Sequence, residues 1–181
     1  MAQRRHHYER AFEEFLRSRR IPYVAVDEAR KSLVPQGIGE GGALKSFDFV
    51  MYGAGAGGGN LLVDVKGRRV GTGKKKRAGR GGESCGRLES WVTREDVAAL
   101  TAWERLFGAG FAAAFVFVYA CEQQPPDGMF REVFEHGGTW YALRTVTVRA
   151  YEREMRVRSE RWGTVEVERG AFERMCVGVT G

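Results

Sequence analysis

Two aspartates and a lysine offer this chain a chemistry: Asp48 in Ser-Phe-Asp-Phe-Val-Met-Tyr, and Asp64 with Lys66 in Asn-Leu-Leu-Val-Asp-Val-Lys. Carboxylate oxygens suit hard divalent cations such as Mg²⁺, which are usually held by one or two carboxylates together with substrate phosphate. A cation so held polarises a phosphoryl oxygen and acidifies a bound water into a nucleophile. A nearby ammonium adds a point charge for the phosphate or the water. Asp-x-Lys by itself is a common tripeptide, and an ordinary ion pair on an exposed strand explains it equally well. The elements around it have to decide.

Those elements read as two strands joined by a glycine-rich loop. Side chains alternate faces along a strand, so Asp48, Val50 and Tyr52 share one face and Phe47, Phe49 and Met51 the other. In the second strand Leu62, Asp64 and Lys66 lie opposite Leu61, Val63 and Val65. Asp64 and Lys66 thus project together from a segment too apolar to be a solvated surface. Pairing of the two strands brings Asp48 beside Asp64. The first strand is expected over residues 43–52 and the second from residue 60, with residues 53–59 as loop. That loop is no dinucleotide fingerprint, because a strand and not a helix follows it. Gly71-Thr-Gly-Lys-Lys-Lys is no phosphate-binding P-loop either, since Arg68 stands where the upstream glycine is required and Lys75 where Ser or Thr is.

The 181 residues fit one domain, or one domain with an extension, and can bury a core. No apolar run is long enough to span a bilayer, and the arginine-rich N-terminus lacks a signal-peptide core, so a cytoplasmic protein is expected. Cys85, Cys121 and Cys176 are far apart and odd in number, which argues against a zinc site or a disulfide framework. Charge is concentrated in one place. Between Lys66 and Arg87 nine basic residues face a single acid, so this segment carries +8 where the whole chain carries +6. A Gly-rich basic loop over residues 67–87, with Arg68, Arg69, Lys74, Lys75, Lys76, Arg77, Arg80 and Arg87, has the composition of an arm that neutralises nucleic-acid phosphates. A solvated loop without a partner is the alternative.

Residues 5–20 have helical spacing, with Tyr8, Ala11, Phe12, Phe15 and Leu16 as the apolar stripe. Glu9 falls at the border of that stripe, from which it can reach a site on the sheet beneath. A strand over residues 23–26 follows Pro22. Thr93 with Asp96 forms a helix-start signature, so Asp96 reads mainly as a capping acid. That helix ends at Gly108, and residues 111–120 form a buried strand. Residues 140–150 alternate as a strand, residues 151–161 read as an arginine-rich helix, and residues 163–181 as a strand and tail.

Asp48, followed after a gap by Asp64-Val65-Lys66, resembles the active-site signature of the PD-(D/E)xK nuclease superfamily, with Phe47 in place of the proline of the motif's name. The order over residues 5–120 is similar to that of archaeal-type Holliday junction resolvases, and His7-Tyr8-Glu9-Arg10-Ala11-Phe12-Glu13 resembles the bacterial HYExAFE family. The resemblance implies an α/β, restriction-endonuclease-like core, a central mixed sheet flanked by helices in the order αβββαβ, over residues 1–150, with residues 151–181 as a C-terminal extension. It implies a metal-dependent endonuclease that hydrolyses phosphodiester bonds in DNA, including structured or branched DNA. Asp48, Asp64 and the Val65 carbonyl would hold Mg²⁺ or Mn²⁺, and Glu9, Asp48, Asp64 and Lys66 would form the catalytic set. DNA is then the expected partner, and a homodimer is compatible with it. The rival expectations are a nuclease-fold protein that binds nucleic acid without cutting it, and an interaction domain whose arm binds an acidic protein.

Overall fold

In the computed structural model the described residues are 7–26, 44–70 and 88–179. Strands β1 (Tyr23–Ala25), β2 (Phe49–Met51), β3 (Asn60–Val70), β5 (Phe111–Cys121), β6 (Glu132–His136) and β7 (Thr139–Thr147) form one mixed sheet in the order β1-β2-β3-β5-β7-β6. Only β3 and β5 run parallel, in register over their full length from Asn60↔Phe111 to Val70↔Cys121. β5 is buried on both faces over residues 113–119, which is why it reads as a continuous apolar run, whereas β3 is fully buried only over residues 61–64 and at Val70. A second, three-stranded sheet has the order β4-β9-β8, from β4 (Val92–Thr93), β8 (Met155–Ser159) and β9 (Thr164–Val167).

Each face of the large sheet has its own core. Helix α1 (His7–Ser18) covers one face, where Ala11, Phe12, Phe15 and Leu16 meet Phe49, Met51, Leu61, Val63, Val116 and Val118. The opposite face packs against α2 (Arg94–Phe107), α3 (Val148–Glu154), α4 (Arg169–Met175) and the small sheet. There Leu62, Phe115, Phe117 and Tyr119 meet Val97, Leu100, Tyr151 and Phe172. Helix α2 starts on a reciprocal capping box. The Thr93 hydroxyl accepts from the Asp96 N–H at 3.0 Å, and the Asp96 carboxylate accepts from the Thr93 N–H at 3.0 Å. Two such bonds satisfy donors that a helix start otherwise leaves open.

Three expectations are corrected. The first strand is a ladder only over Phe49–Met51, and Phe47 packs with Val50 on the α2 side instead of with Phe49. Before Asp48 the alternation no longer holds. Phe47 instead sits edge-on to Trp103 and Phe107, at 5.4 and 6.0 Å, while the Lys45 carbonyl accepts the Trp103 indole N–H at 2.9 Å. The arginine-rich helix expected over residues 151–161 is the short α3 followed by β8. Met155, Arg156, Val157 and Arg158 alternate with period two, and cross-strand Glu166 on β9 takes Arg156 and Arg158, each at 3.6 Å. The tail after β9 includes α4, whose Phe172 packs edge-on to Phe117 at 5.1 Å.

Candidate active site

Asp48 immediately precedes β2, and its backbone is fixed from both sides. Its N–H donates to the Val63 carbonyl at 2.8 Å, and its carbonyl accepts from the Val26 N–H at 2.8 Å. β2 and β3 pair antiparallel with Phe49 opposite Val63, which carries Asp48 to the level of Asp64. The side chains meet as the alternation predicts. The Asp48 and Asp64 carboxyls lie within hydrogen-bonding reach of one another, and Asp48 Oδ2 also accepts from the Val65 N–H at 2.6 Å. Asp64 is buried, at 7% exposure.

Lys66 joins the pair from the same strand face. Its Nζ lies 2.8 Å from Asp64 Oδ2 and 3.0 Å from Asp96 Oδ2, and it stands 5.8 Å from the Phe115 ring centre. Lys45 completes the network as a second cation on Asp96. The sequence reading missed this part of the site. The capping pattern made Asp96 mainly a capping acid, and the strand expected over residues 43–52 turned Lys45 away from Asp48. Asp96 does cap α2, and the same carboxylate also anchors Lys66.

The electrostatics separate the three acids. Burial pushes both Asp48 and Asp64 above the usual carboxylate range. The charge of Glu9 adds to the rise at Asp48, and the charge of Asp48 to that at Asp64, against the opposing pull of Lys66. Burial would raise Asp96 too, but Lys66, Lys45 and the Thr93 N–H together hold it down to about 2. One acid is therefore a fixed anion, and the other two share a place where a second negative charge is unfavourable. Glu9, half-buried on α1, contributes its field to this point.

Two adjacent oxygen donors whose anionic forms lack sufficient countercharge fit a hard divalent cation, which keeps several waters and needs few protein ligands. Among the described residues no three His, Cys, Asp or Glu side chains close on one point. The donor set here is accordingly two carboxylates, with the main chain at Val65 beside them.

The basic residues divide. Arg68 and Arg69 lie on β3, which continues to Val70. The Arg68 guanidinium stacks on Trp91 at 4.3 Å and donates to the Trp91 and Gly67 carbonyls, and Arg69 is exposed, 3.8 Å from Glu122. Lys74, Lys75, Lys76, Arg77, Arg80 and Arg87 lie outside the described residues, as does Cys85. No described helix is long and apolar enough to cross a membrane.

Among solved structures the chain is similar to the 1.6 Å structure of Archaeoglobus fulgidus Hjc, a Holliday junction resolvase from an archaeal hyperthermophile. The two share 16% identity with a TM-score of 0.50, over 96% of this chain and 95% of that one. No family model matches the chain, and no curated protein sequence does either. At this identity the likeness is one of fold. The mixed sheet between helices is a restriction-endonuclease-like architecture.

Proposed function

We propose that the chain is a divalent-metal-dependent endonuclease that hydrolyses phosphodiester bonds in DNA, with branched or otherwise structured DNA as its substrate class. The observation that carries this is the convergence of Asp48 and Asp64 next to Lys66, from separate strands, on one face of a restriction-endonuclease-like sheet. The named activity of the Archaeoglobus resolvase supports the choice of branched DNA.

Asp48, Asp64 and the Val65 carbonyl would hold Mg²⁺ or Mn²⁺. Bound there, the cation supplies Lewis-acid polarisation of the phosphate and an acidified water. The chain's own groups do the rest. Lys66, already anchored by Asp96 on its far side, needs only to exchange its contact with Asp64 for a phosphate oxygen or the attacking hydroxide. Its fixed charge then meets negative charge as it develops, the kind of interaction that dominates phosphoryl chemistry. Glu9, approaching from α1, orients the water. Basic residues beyond β3 add affinity for the phosphate backbone without reading bases.

The test incubates plasmid, four-way-junction DNA and RNA with Mg²⁺, with Mn²⁺ or with chelator, using wild type and Lys66→Ala. Metal-dependent cleavage of DNA that disappears in Lys66→Ala while binding persists is the expected result. Binding without cleavage by the wild type would assign the fold to a non-cutting nucleic-acid-binding role. Absence of binding at low salt would leave neither.

A further inference from the structure

A second constellation lies away from the aspartates, around Arg144 on β7. This arginine is 8% exposed, yet among the described residues its guanidinium meets one carboxylate, Glu173, at 3.6 Å. That is too long for a hydrogen bond. The Phe130 ring packs 5.1 Å from the guanidinium carbon, and Tyr119 and Cys176 lie near enough to feel its charge. Glu173 is itself shared, because it accepts from Arg169 Nε at 3.0 Å. A guanidinium carries five N–H donors, and a buried charge without a close partner is costly. Among the described residues the fold supplies the Arg144 guanidinium no oxygen at hydrogen-bonding distance, and its nitrogens open on the space beside them.

The space beside it is large enough to supply them from outside. A cavity of about 590 Å³ opens there, lined by Arg131, Arg144, Arg169 and Arg174 against Glu132 and Glu173. Ligand pockets generally fall between ~300 and ~1,000 Å³. Glu132 is already engaged, accepting from the Val179 N–H at 2.9 Å. Four guanidinium groups against two carboxylates give the lining an excess of positive charge, part of it shared by Glu168, which lies beside Arg174 just outside. That excess matches a phosphate monoester, which carries about −1.5 to −2 near neutral pH, better than it matches a single carboxylate. Met129, Phe130 and Leu143 give the same cavity an apolar wall.

We infer that this cavity is a binding site for a terminal phosphate monoester, with Arg144 as its buried anchor and Arg131, Arg169 and Arg174 around it. The phosphate comes from a free 5′-nucleotide or from the phosphorylated 5′ end of a nucleic-acid strand. Lys66, Phe117 and Arg144 are register partners across β3, β5 and β7, so Arg144 lies two strands from Lys66 in the same row. Phe117, with Phe172 packed on it, stands between them. The site is thus separate from the aspartate pair, and the inference does not depend on the chain cutting DNA.

The test is melting and calorimetry of the full chain at constant ionic strength. The probes are inorganic phosphate, a 5′-mononucleotide, the matching nucleoside, and an oligonucleotide with and without a 5′-phosphate. Ligands that bind only the folded state raise its melting temperature. At least one phosphate monoester should do so in the wild type, and its unphosphorylated counterpart should not. Arg144→Met should weaken this binding by at least ~10-fold, the effect of losing a charge-assisted bidentate contact. Without ligand it should melt close to wild type, because the ion pair it loses, to Glu173, is long and shared with Arg169 while Met keeps the packing on Phe130. If Arg144→Met does not fold, Arg174→Gln on the exposed rim serves the same purpose with a smaller, several-fold loss. A response to the mononucleotide identifies a nucleotide pocket, and a response to the phosphorylated oligonucleotide alone identifies a strand-end pocket. The inference is overturned if no monoester stabilises the wild type, or if wild type and both variants respond equally.

Discussion

Lys66 stands between two carboxylates of opposite character, and that placement determines what its removal does. Asp64 belongs to the crowded acid pair, whereas Asp96 is a fixed anion tied to the start of α2. Lys66→Met should therefore reduce cleavage by ~10²–10³, the usual effect of losing one preorganised electrostatic contact. Junction binding at low salt should stay within a few-fold of wild type in a gel-shift assay. Loss of binding in parallel with cleavage would make Lys66 a mere docking residue. Asp96 carries the pH prediction. Its folded pKa is depressed to about 2, below the unfolded value, so the stability it contributes is present above pH ~4 and disappears as pH falls from ~4 toward ~2. Asp96→Asn should cost about 2 kcal/mol at pH 7 and flatten that acid limb in urea titrations. An unchanged limb would show that Lys66 and Lys45 do not hold this acid.

At the scale of elements, the approach of α1 to β3 is what brings Glu9 to the pair, and it depends on Gly67. A Cβ at Gly67 would lie 2.1 Å from the Tyr8 ring, so the helix rests directly on the strand backbone there. Gly67→Ala should lower stability by ~1–3 kcal/mol, the usual range for overpacking, and should displace Glu9 along with its helix. Tyr8→Ala in the same chain should recover much of the loss, and a double-mutant cycle measures the coupling. A cycle that sums without coupling would mean that the helix does not bear on this glycine. None of this contact was legible in the sequence, where Gly67 was one glycine in a basic stretch. The helix itself was legible, because its apolar residues recur at helical spacing and bury as a set. The Asp48–Asp64 meeting was legible for the same kind of reason, since period-two alternation and antiparallel pairing decide it. Contacts that break a local rule were hidden: Phe47 turned toward α2, Lys45 reaching Asp96, and β8 pairing where an arginine-rich helix was expected. Phe47 and Lys45 are settled by partners on α2, far along the chain, and β8 by the hairpin it forms with β9, and no helical or capping pattern in the sequence reveals either.

For the molecule as a whole, the proposed function requires an acidic site to attract a polyanion. Asp48, Asp64, Asp96 and the field of Glu9 would together repel phosphate if the chain's positive charge were spread evenly. It is concentrated instead. β3 leads directly from Asp64 through Lys66 and Val70 into the basic stretch, so the most cationic part of the chain is covalently tethered a few residues beyond the acids. Binding should then be governed by counterion release at that stretch. Replacing Lys74, Lys75, Lys76, Arg77 and Arg80 with glutamine removes five charges. The slope of log K against log salt should become shallower by up to ~4.5, or ~0.9 for each phosphate no longer contacted. Affinity should fall about equally for sequences and junctions of different base composition, because phosphate contacts carry no sequence information. At saturating protein the cleavage rate should remain near that of wild type, since the role proposed for the five is affinity for phosphate and not the chemistry. A salt slope unchanged by the substitution would place the phosphate contacts elsewhere on the molecule. An unchanged DNA affinity combined with lost affinity for an acidic protein would turn the basic stretch into a protein-docking arm.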